Sequence, residues 1–176
     1  MIIRLLKNFL FLKKIRKLYN GVTIGSNFQI EDGFKYIENL IISKHVYIGA
    51  NANWSPRGKI TIEENVIFGP YSVIWTYNHN YNSKNYIPYG FKDEDIVKEV
   101  IIKRNVWIAR NVLILGGVTI GEGAVIGANS VITKDIPACA IVAGNPARII
   151  KYRDIETYKN LDSQGKHYLK FKKSNP

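Results

Sequence analysis

Apolar and polar residues repeat with a period of six between Ile102 and Pro137. The first place of each six is always isoleucine: Ile102, Ile108, Ile114, Ile120, Ile126 and Ile132. The fifth place is small or β-branched in every repeat, and places two to four are rich in the Gly, Asn, Asp and charged residues of tight turns. A helix with 3.6 residues per turn would spread these isoleucines around its surface, whereas short strands joined by turns keep them on one side. The pattern predicts a hexapeptide β-helix, a solenoid whose coils stack on a common apolar core.

The outward-facing residues suggest how such a solenoid assembles. If three hexads close one coil, residues eighteen apart share one flank of a three-sided prism. The flanks then present these pairs: Trp107 and Val125, Leu113 and Val131, Thr119 and Pro137. The first two pairs are apolar and the third is not. Two apolar flanks per subunit fit a closed cyclic trimer, and an exposed tryptophan indicates a partner or a ligand.

The same period continues in broken form towards the N-terminus. It follows Ile24, Ile30, Ile42, Ile48 and Trp54, and after a two-residue insertion Ile62, Phe68 and Ile74. We therefore expect one solenoid domain over residues 22–150, interrupted by a long insertion at residues 75–99. Long loops are usually functional, and the aromatic and asparagine side chains of this one suit a sugar-binding surface. An alternative is that its tyrosines cover a neighbouring subunit.

The two ends of the chain carry much of the excess positive charge, and the net charge is +11. Residues 1–21 have apolar stripes at helical spacing with basic residues between them. Two interpretations stay open: a helix packed on the solenoid or on a neighbour, or an interfacial helix in peripheral contact with an anionic membrane. The segment is too short and too charged to span a bilayer. Residues 151–176 are expected to form a short helix and a basic tail.

Composition excludes several classes of function. The chain contains one cysteine, Cys139, which excludes an internal disulfide framework and a cysteine-based zinc site. The protein is expected in the reducing cytoplasm. If residues 1–21 form an interfacial helix, it is expected at the inner face of the membrane. The net charge indicates an anionic partner. Nucleic acid is not expected, because the solenoid lacks a stripe of basic residues interleaved with aromatic ones.

His79 is the candidate catalytic residue. It lies in the aromatic insertion between Asn78 and Asn80. Imidazole, with an unperturbed pKa near 6.5, suits removal of a proton from an attacking hydroxyl or amine. His45 falls at a turn place and His167 in the basic tail. The three histidines are too scattered to form the metal site of a γ-type carbonic anhydrase, which is a metalloenzyme on the same fold.

Four runs carry a resemblance to a known family: NVWIA at 105–109, GVTIGEGAVIGA at 117–128, VITKDIP at 131–137 and AGNPAR at 143–148. They resemble the hexapeptide acyltransferases. The chain is most similar to the galactoside/maltose O-acetyltransferase group and its relatives in bacterial surface-polysaccharide biosynthesis. The resemblance implies a left-handed parallel β-helix, a homotrimer, and acetyl-CoA as co-substrate in a groove between subunits, with no metal required.

The resemblance also implies roles for individual residues. His79 is the general base, and the acetyl-CoA groove is expected to involve Trp107, Ala109, Ala128, Thr133, Lys134 and Arg148. On the acceptor side the matching or neighbouring residues are Asn51, Trp54, Arg57 and Asn78. Arg57 stands in a region where the galactoside enzymes have an acidic residue, and it could favour an anionic acceptor.

The expected function is acetyl transfer to a sugar hydroxyl, directly and without an acetylated Cys139. Two alternatives remain. The acceptor could be the amine of an amino-sugar or nucleotide-amino-sugar, since the groove and the base would be the same. The chain could also be a trimeric scaffold without catalytic activity.

Overall fold

Each hexad folds as a short strand followed by a sharp corner. The computed structural model describes residues 22–26, 28–30 and 35–172, together with Lys13. All six first-place isoleucines of the repeat are 0% exposed, and the fifth-place residues beside them are buried as well. The hexad pattern therefore marks the interior of the solenoid, as predicted.

The strands are, in chain order, β1 (Val22–Ile24), β2 (Gln29–Ile30), β3 (Leu40–Ile42), β4 (Val46–Ile48), β5 (Asn53–Ser55), β6 (Ile60–Ile62), β7 (Ile67–Phe68), β8 (Val73–Trp75), β9 (Tyr77–Asn78), β10 (Ile96–Val97), β11 (Val100–Ile102), β12 (Trp107–Ile108), β13 (Leu113–Leu115), β14 (Thr119–Ile120), β15 (Val125–Ile126), β16 (Val131–Ile132), β17 (Ala140–Gly144) and β18 (Ala147–Tyr152). Short 3-10 helices span Ile37–Asn39 and Lys92–Glu94, and the α-helices are α1 (Ile155–Ser163) and α2 (Tyr168–Lys172).

Three parallel sheets form the flanks of the prism. Flank one contains β1, β4, β7, β12, β15 and β17, with β18 added antiparallel at its end. Flank two contains β2, β5, β8, β13 and β16, and flank three contains β3, β6, β11 and β14. Trp107 pairs with Val125 and Leu113 with Val131, which confirms the eighteen-residue coil. The predicted parallel β-helix is thus confirmed.

Corners between the flanks use the left-handed backbone conformation. We call them the first corner (from flank one to flank two), the second (from two to three) and the third (from three to one). The fourth place of successive hexads has a positive φ: Asn105 at 61°, Asn111 at 56°, Gly117 at 90°, Gly123 at 71° and Asn129 at 59°. Glycine and asparagine adopt this conformation at least cost, so the turn residues of the repeat are required by its geometry.

The structure corrects two expectations about the surface. Flank three is not polar throughout, because Ile41 and Ile101 share it with Thr61 and Thr119. Pro137 does not stack on Thr119, since Ile120 bridges to Ile136, sixteen residues further on, and the last coil is therefore shorter.

The C-terminal region is more ordered than a short helix and a loose tail. It continues from β18 into α1 and α2, and Asp162 of α1 binds Arg104 and Asn105 of the third corner. Apart from Lys13, the helix expected over residues 1–21 lies outside the described residues. In the part of the chain that the structure describes, no helix is both long and apolar enough to cross a membrane.

Candidate active site

The long insertion leaves the solenoid at the second corner and returns as a small hairpin. β9 pairs antiparallel with β10, with Asn78 opposite Ile96. The next residues along the two strands are His79 and Asp95, which therefore face each other. The Nδ1 atom of His79 lies 2.8 Å from Oδ1 of Asp95. The hairpin thus builds a histidine–carboxylate pair.

Asp95 is held as a carboxylate. Its side chain is 1% exposed, and Arg57 donates from Nη1 to Oδ2 at 2.6 Å. Burial acts to raise the pKa of Asp95, but hydrogen bonds from His79 and Arg57 outweigh it and hold the pKa below its ordinary value. An ionised carboxylate only accepts hydrogen bonds, so the proton of a neutral His79 lies on Nδ1. Nε2 is then left with a free lone pair and can act as a base.

Aromatic rings fix the orientation of the imidazole. The ring of Tyr89 stacks on that of His79 with centroids 4.1 Å apart and planes 7° apart. Tyr77 meets the same imidazole edge-on at 6.0 Å. On its other side Tyr77 stacks with Trp75 at 5.2 Å, where the loop leaves β8. The imidazole is therefore positioned by ring contacts as well as by Asp95.

Asn78 supports the backbone beside the histidine. Its side-chain oxygen accepts a hydrogen bond from the backbone N–H of His79 at 2.9 Å. Further along the loop, Asn85 donates to Glu94 at 3.2 Å, which ties the outer part of the loop to the segment that carries Asp95. Asn78 remains exposed to solvent, so an acceptor can still reach the rest of its amide.

A cleft of about 290 Å³ lies between the loop and the second corner. Tyr77, Asn78 and Tyr81 line it on the loop side, and Leu115 and Gly116 line it on the solenoid side. Ile114 pairs with Ile132, so Thr133 and Lys134 come directly after β16 and lie at the second corner of the next coil. Two of the predicted donor residues thus share the second corner with the loop that carries His79.

The other predicted donor residues lie elsewhere on the prism. Ala109 and Ala128 are on the first corner, at the opposite edge of flank two. Trp107 is on flank one, where it is 51% exposed and borders a second cleft of about 240 Å³ beneath α1 and α2. Arg148 lies in β18, and its guanidinium donates to the carbonyl of Ala147 at 2.9 Å. A single chain therefore distributes these residues over flank one and both edges of flank two.

Two predicted acceptor residues are contradicted by the structure. Trp54 is 0% exposed, and its ring lies between Phe28 and Phe68 at 5.0 and 4.8 Å. It is a core residue and is not available to a substrate. The guanidinium of Arg57 is occupied by Asp95 and lies 4.1 Å from the ring centroid of Tyr77, so it does not present a free charge to an acceptor.

Asn51 occupies the first corner, where its φ is 58°. It lies at the beginning of flank two, whereas the loop that carries His79 leaves from the far edge of that flank. The structure therefore does not bring Asn51 and His79 together on one corner.

Asp95, and the stacking of Tyr89 on His79, were missed by sequence reasoning. Both residues lie in the insertion, where no period relates them to His79. The available signal was the presence of a lone histidine and an acidic triplet, Asp93, Glu94 and Asp95, in the same loop. Within the described residues, no three His, Cys, Asp or Glu side chains are placed to hold a metal ion together.

Known proteins share both the repeat and the fold. The family model for bacterial transferase hexapeptide (six repeats) matches residues 99–134. A hexapeptide-repeat-containing acetyltransferase from Vibrio cholerae O1 biovar eltor, solved with acetyl-coenzyme A, is 34% identical over 78% of this chain and 73% of that chain, with a TM-score of 0.65.

Two sugar acetyltransferases are also similar to this chain. A maltose O-acetyltransferase from Clostridium difficile 630 is 30% identical over 80% of this chain and 73% of that chain, with a TM-score of 0.64. A galactoside acetyltransferase solved with coenzyme A is 27% identical over 81% of this chain and 70% of that chain, with a TM-score of 0.62.

Proposed function

This chain belongs to the hexapeptide-repeat acyltransferases, and from that premise we propose that it transfers the acetyl group of acetyl-CoA to a sugar hydroxyl. The observation that carries the proposal is the pairing of His79 with the buried Asp95 beside a cleft at the second corner. We assign the reaction to bacterial surface-polysaccharide biosynthesis in the cytoplasm. The sugar O-acetyltransferases among its structural neighbours support this choice of acceptor.

The proposed mechanism is direct transfer. Nε2 of His79 removes the proton of the acceptor hydroxyl while the oxygen attacks the thioester carbonyl carbon. The new C–O bond gives a tetrahedral oxyanion, which needs a hydrogen-bond donor. Collapse of this intermediate breaks the C–S bond, and the imidazolium returns its proton to the departing CoA sulfur. Asp95 stabilises the imidazolium that forms between the two proton transfers, as an orienting carboxylate does in other histidine-based sites.

The donor groove is proposed to lie between subunits of a homotrimer. Trp107 is half-exposed on flank one, while Thr133 and Lys134 lie at the second corner. A neighbouring subunit that covers one of these surfaces would bring the separated donor residues Trp107, Ala109, Ala128, Thr133, Lys134 and Arg148 around one acetyl-CoA. Cationic side chains in this set suit the phosphate groups of the cofactor.

The acceptor is proposed to bind on the loop. Tyr89 stacks on His79 and is 46% exposed, and Tyr81 is 69% exposed beside the cleft. Sugar C–H faces pack on such rings, while the exposed amide of Asn78 can meet hydroxyl groups. Trp54 has no part in this arrangement.

Titration calorimetry with acetyl-CoA tests the donor site, using the wild type and Trp107→Ala. A thioester-cleavage assay over a panel of sugars and amino-sugars, with His79→Ala as the second variant, tests the acceptor and the base. We expect weaker binding in the first variant, and retained binding without transfer in the second. Transfer to amino-sugars alone would show that the acceptor group is an amine and not a hydroxyl. Absence of binding at millimolar acetyl-CoA would favour a non-catalytic scaffold.

A further inference from the structure

The turn that carries Arg57 is anchored beneath the root of the catalytic loop. Ser55 pairs with Trp75, so residues 55–58 occupy the second corner one coil before the loop departs. The side-chain amide of Asn39 donates to the carbonyl oxygens of Pro56 and Arg57, both at 3.0 Å. The backbone of this turn is therefore tied to the preceding coil.

The root of the loop holds the same turn from the other side. Thr76 accepts a hydrogen bond from the backbone N–H of Gly58 at 2.8 Å and donates to the carbonyl oxygen of Ser55 at 2.5 Å. Thr76 is 0% exposed. Arg57 thus projects from a segment that is fixed on both sides, and its position is that of the rigid solenoid rather than of the loop.

The side chain of Arg57 ends between Tyr77 and Asp95. Its guanidinium lies 4.1 Å from the ring centroid of Tyr77, donates to Asp95 at 2.6 Å, and the side chain is 14% exposed. The two oxygens of Asp95 are thus divided, with Oδ2 facing Arg57 and Oδ1 facing His79. A carboxylate this deeply buried needs a hydrogen-bonded partner of opposite charge to remain ionised.

We propose that Arg57 is a positioning residue of the acyl transfer, which aligns the Asp95 carboxylate so that Nε2 of His79 faces the acceptor. The inference rests on the proposed function for its chemistry, and on the Arg57–Asp95–His79 contacts for its geometry. Arg57 touches neither substrate nor cofactor in this assignment. It joins the rigid second corner to a loop whose base is a two-residue strand pair.

Nitrogen-15 NMR of histidine side chains tests the geometry without any knowledge of the acceptor. At pH about 9, where a neutral imidazole is expected, the ring-nitrogen shifts report which nitrogen carries the proton. We expect His79 of the wild type to be protonated on Nδ1, and Arg57→Gln to give a mixture of tautomers. His45 and His167 serve as internal references, and His79→Gln assigns the signal. Unchanged tautomers in Arg57→Gln would overturn the inference.

Kinetics then separate positioning from stability. Arg57→Gln is expected to lower kcat about 10- to 100-fold, with acetyl-CoA affinity within about twofold of the wild type. Arg57→Lys keeps the charge and is expected to recover part of kcat. Lys103→Gln is the matched control, because it breaks an exposed ion pair of 2.9 Å with Glu63 away from the loop.

The outcomes distinguish the inference from the proposed function. If the wild type transfers acetyl groups and both Arg57 variants match it in kcat, the positioning role is wrong while the function stands. If the wild type neither binds nor cleaves acetyl-CoA, the proposed function fails, and the tautomer measurement still decides whether Arg57 aligns Asp95. Thermal denaturation of each variant shows whether it is folded under the assay conditions.

Discussion

Removal of the Asp162 carboxylate is predicted to loosen the C-terminal helices from the solenoid. Arg104 donates to both oxygens of Asp162, at 2.9 and 2.8 Å. Asn105 of the third corner donates at 2.8 Å, and Nε2 of His167 lies 2.9 Å away. Asp162→Asn keeps the size of the side chain but removes the charge that these groups share.

The magnitude follows from the shift in the pKa of Asp162. Hydrogen bonds from His167 and then Arg104 lower this pKa from 3.8 to about 2. A shift of this size corresponds to about 2 kcal/mol of stabilisation, and the side chain is 17% exposed, so screening by solvent is limited. Because the folded-state pKa is depressed, this stabilisation is present above pH about 4 and is lost as the pH falls towards about 2.

Hydrogen exchange of the α1 amides is the assay, since it reports the opening of a local segment. Asp162→Asn should raise exchange in residues 155–163 about 30-fold at neutral pH, which is the equivalent of about 2 kcal/mol. Glu156→Gln, which removes an exposed carboxylate of the same helix, is the control and should change little. Equal exchange in the wild type and Asp162→Asn, at pH 7 and across the acid range, would refute the reasoning.

Three further outcomes are expected. Asp95→Asn should reduce transfer by about 10²- to 10⁴-fold in the thioester assay, because an amide can donate to Nδ1 of His79 and leave the proton on Nε2. Calorimetry should show unchanged acetyl-CoA binding, and transfer at the wild-type rate would contradict the mechanism. Gly69→Ala should lower the free energy of unfolding by about 1–3 kcal/mol, because its Cβ would lie 2.7 Å from the carbonyl carbon of Ala109. Thermal denaturation measures the change, and an unchanged or higher melting temperature would contradict this prediction. Cys139 is 6% exposed and burial raises the pKa of its thiol, so alkylation should be slow in the folded protein. Cys139→Ala should keep its transfer activity, and loss of transfer would indicate a covalent role for the thiol.

The solenoid was predictable because the residue type at each place of a hexad reflects the environment of that place. Ile108 and Ile126 are apolar for one reason, which is that they fill the same core one coil apart. The same phase places Trp54 at a first place, and the structure confirms that it is buried. The resemblance places Trp54 near the acceptor only by its closeness to Asn51 in the sequence, whereas the phase of the repeat predicts the buried position that the structure has.

The catalytic pair could be predicted only in part. His79 stood out by its position in the long insertion. Its partner depends on the pairing of Asn78 with Ile96 across a hairpin, and no sequence period predicts that hairpin. Arg57 belongs to another coil altogether, and its contact with Asp95 spans 38 residues of sequence. Such contacts arise where the corners of successive coils stack, and a single sequence does not show which corner residues meet.

The hairpin loop has a further consequence for how this protein can change. Ile67 pairs with Trp107 forty residues later, while Trp107 pairs with Val125 eighteen residues later, and both pairs keep the same register. The insertion therefore adds 22 residues to one coil (40 − 18) without displacing the coils on either side. Substitutions and length changes in the outer part of the loop, beyond the His79–Asp95 pair, can alter what is recognised while the stacked coils and their isoleucine interior stay as they are. The chain thus separates the part that confers stability from the part that evolution or an engineer can exchange to obtain a new acceptor.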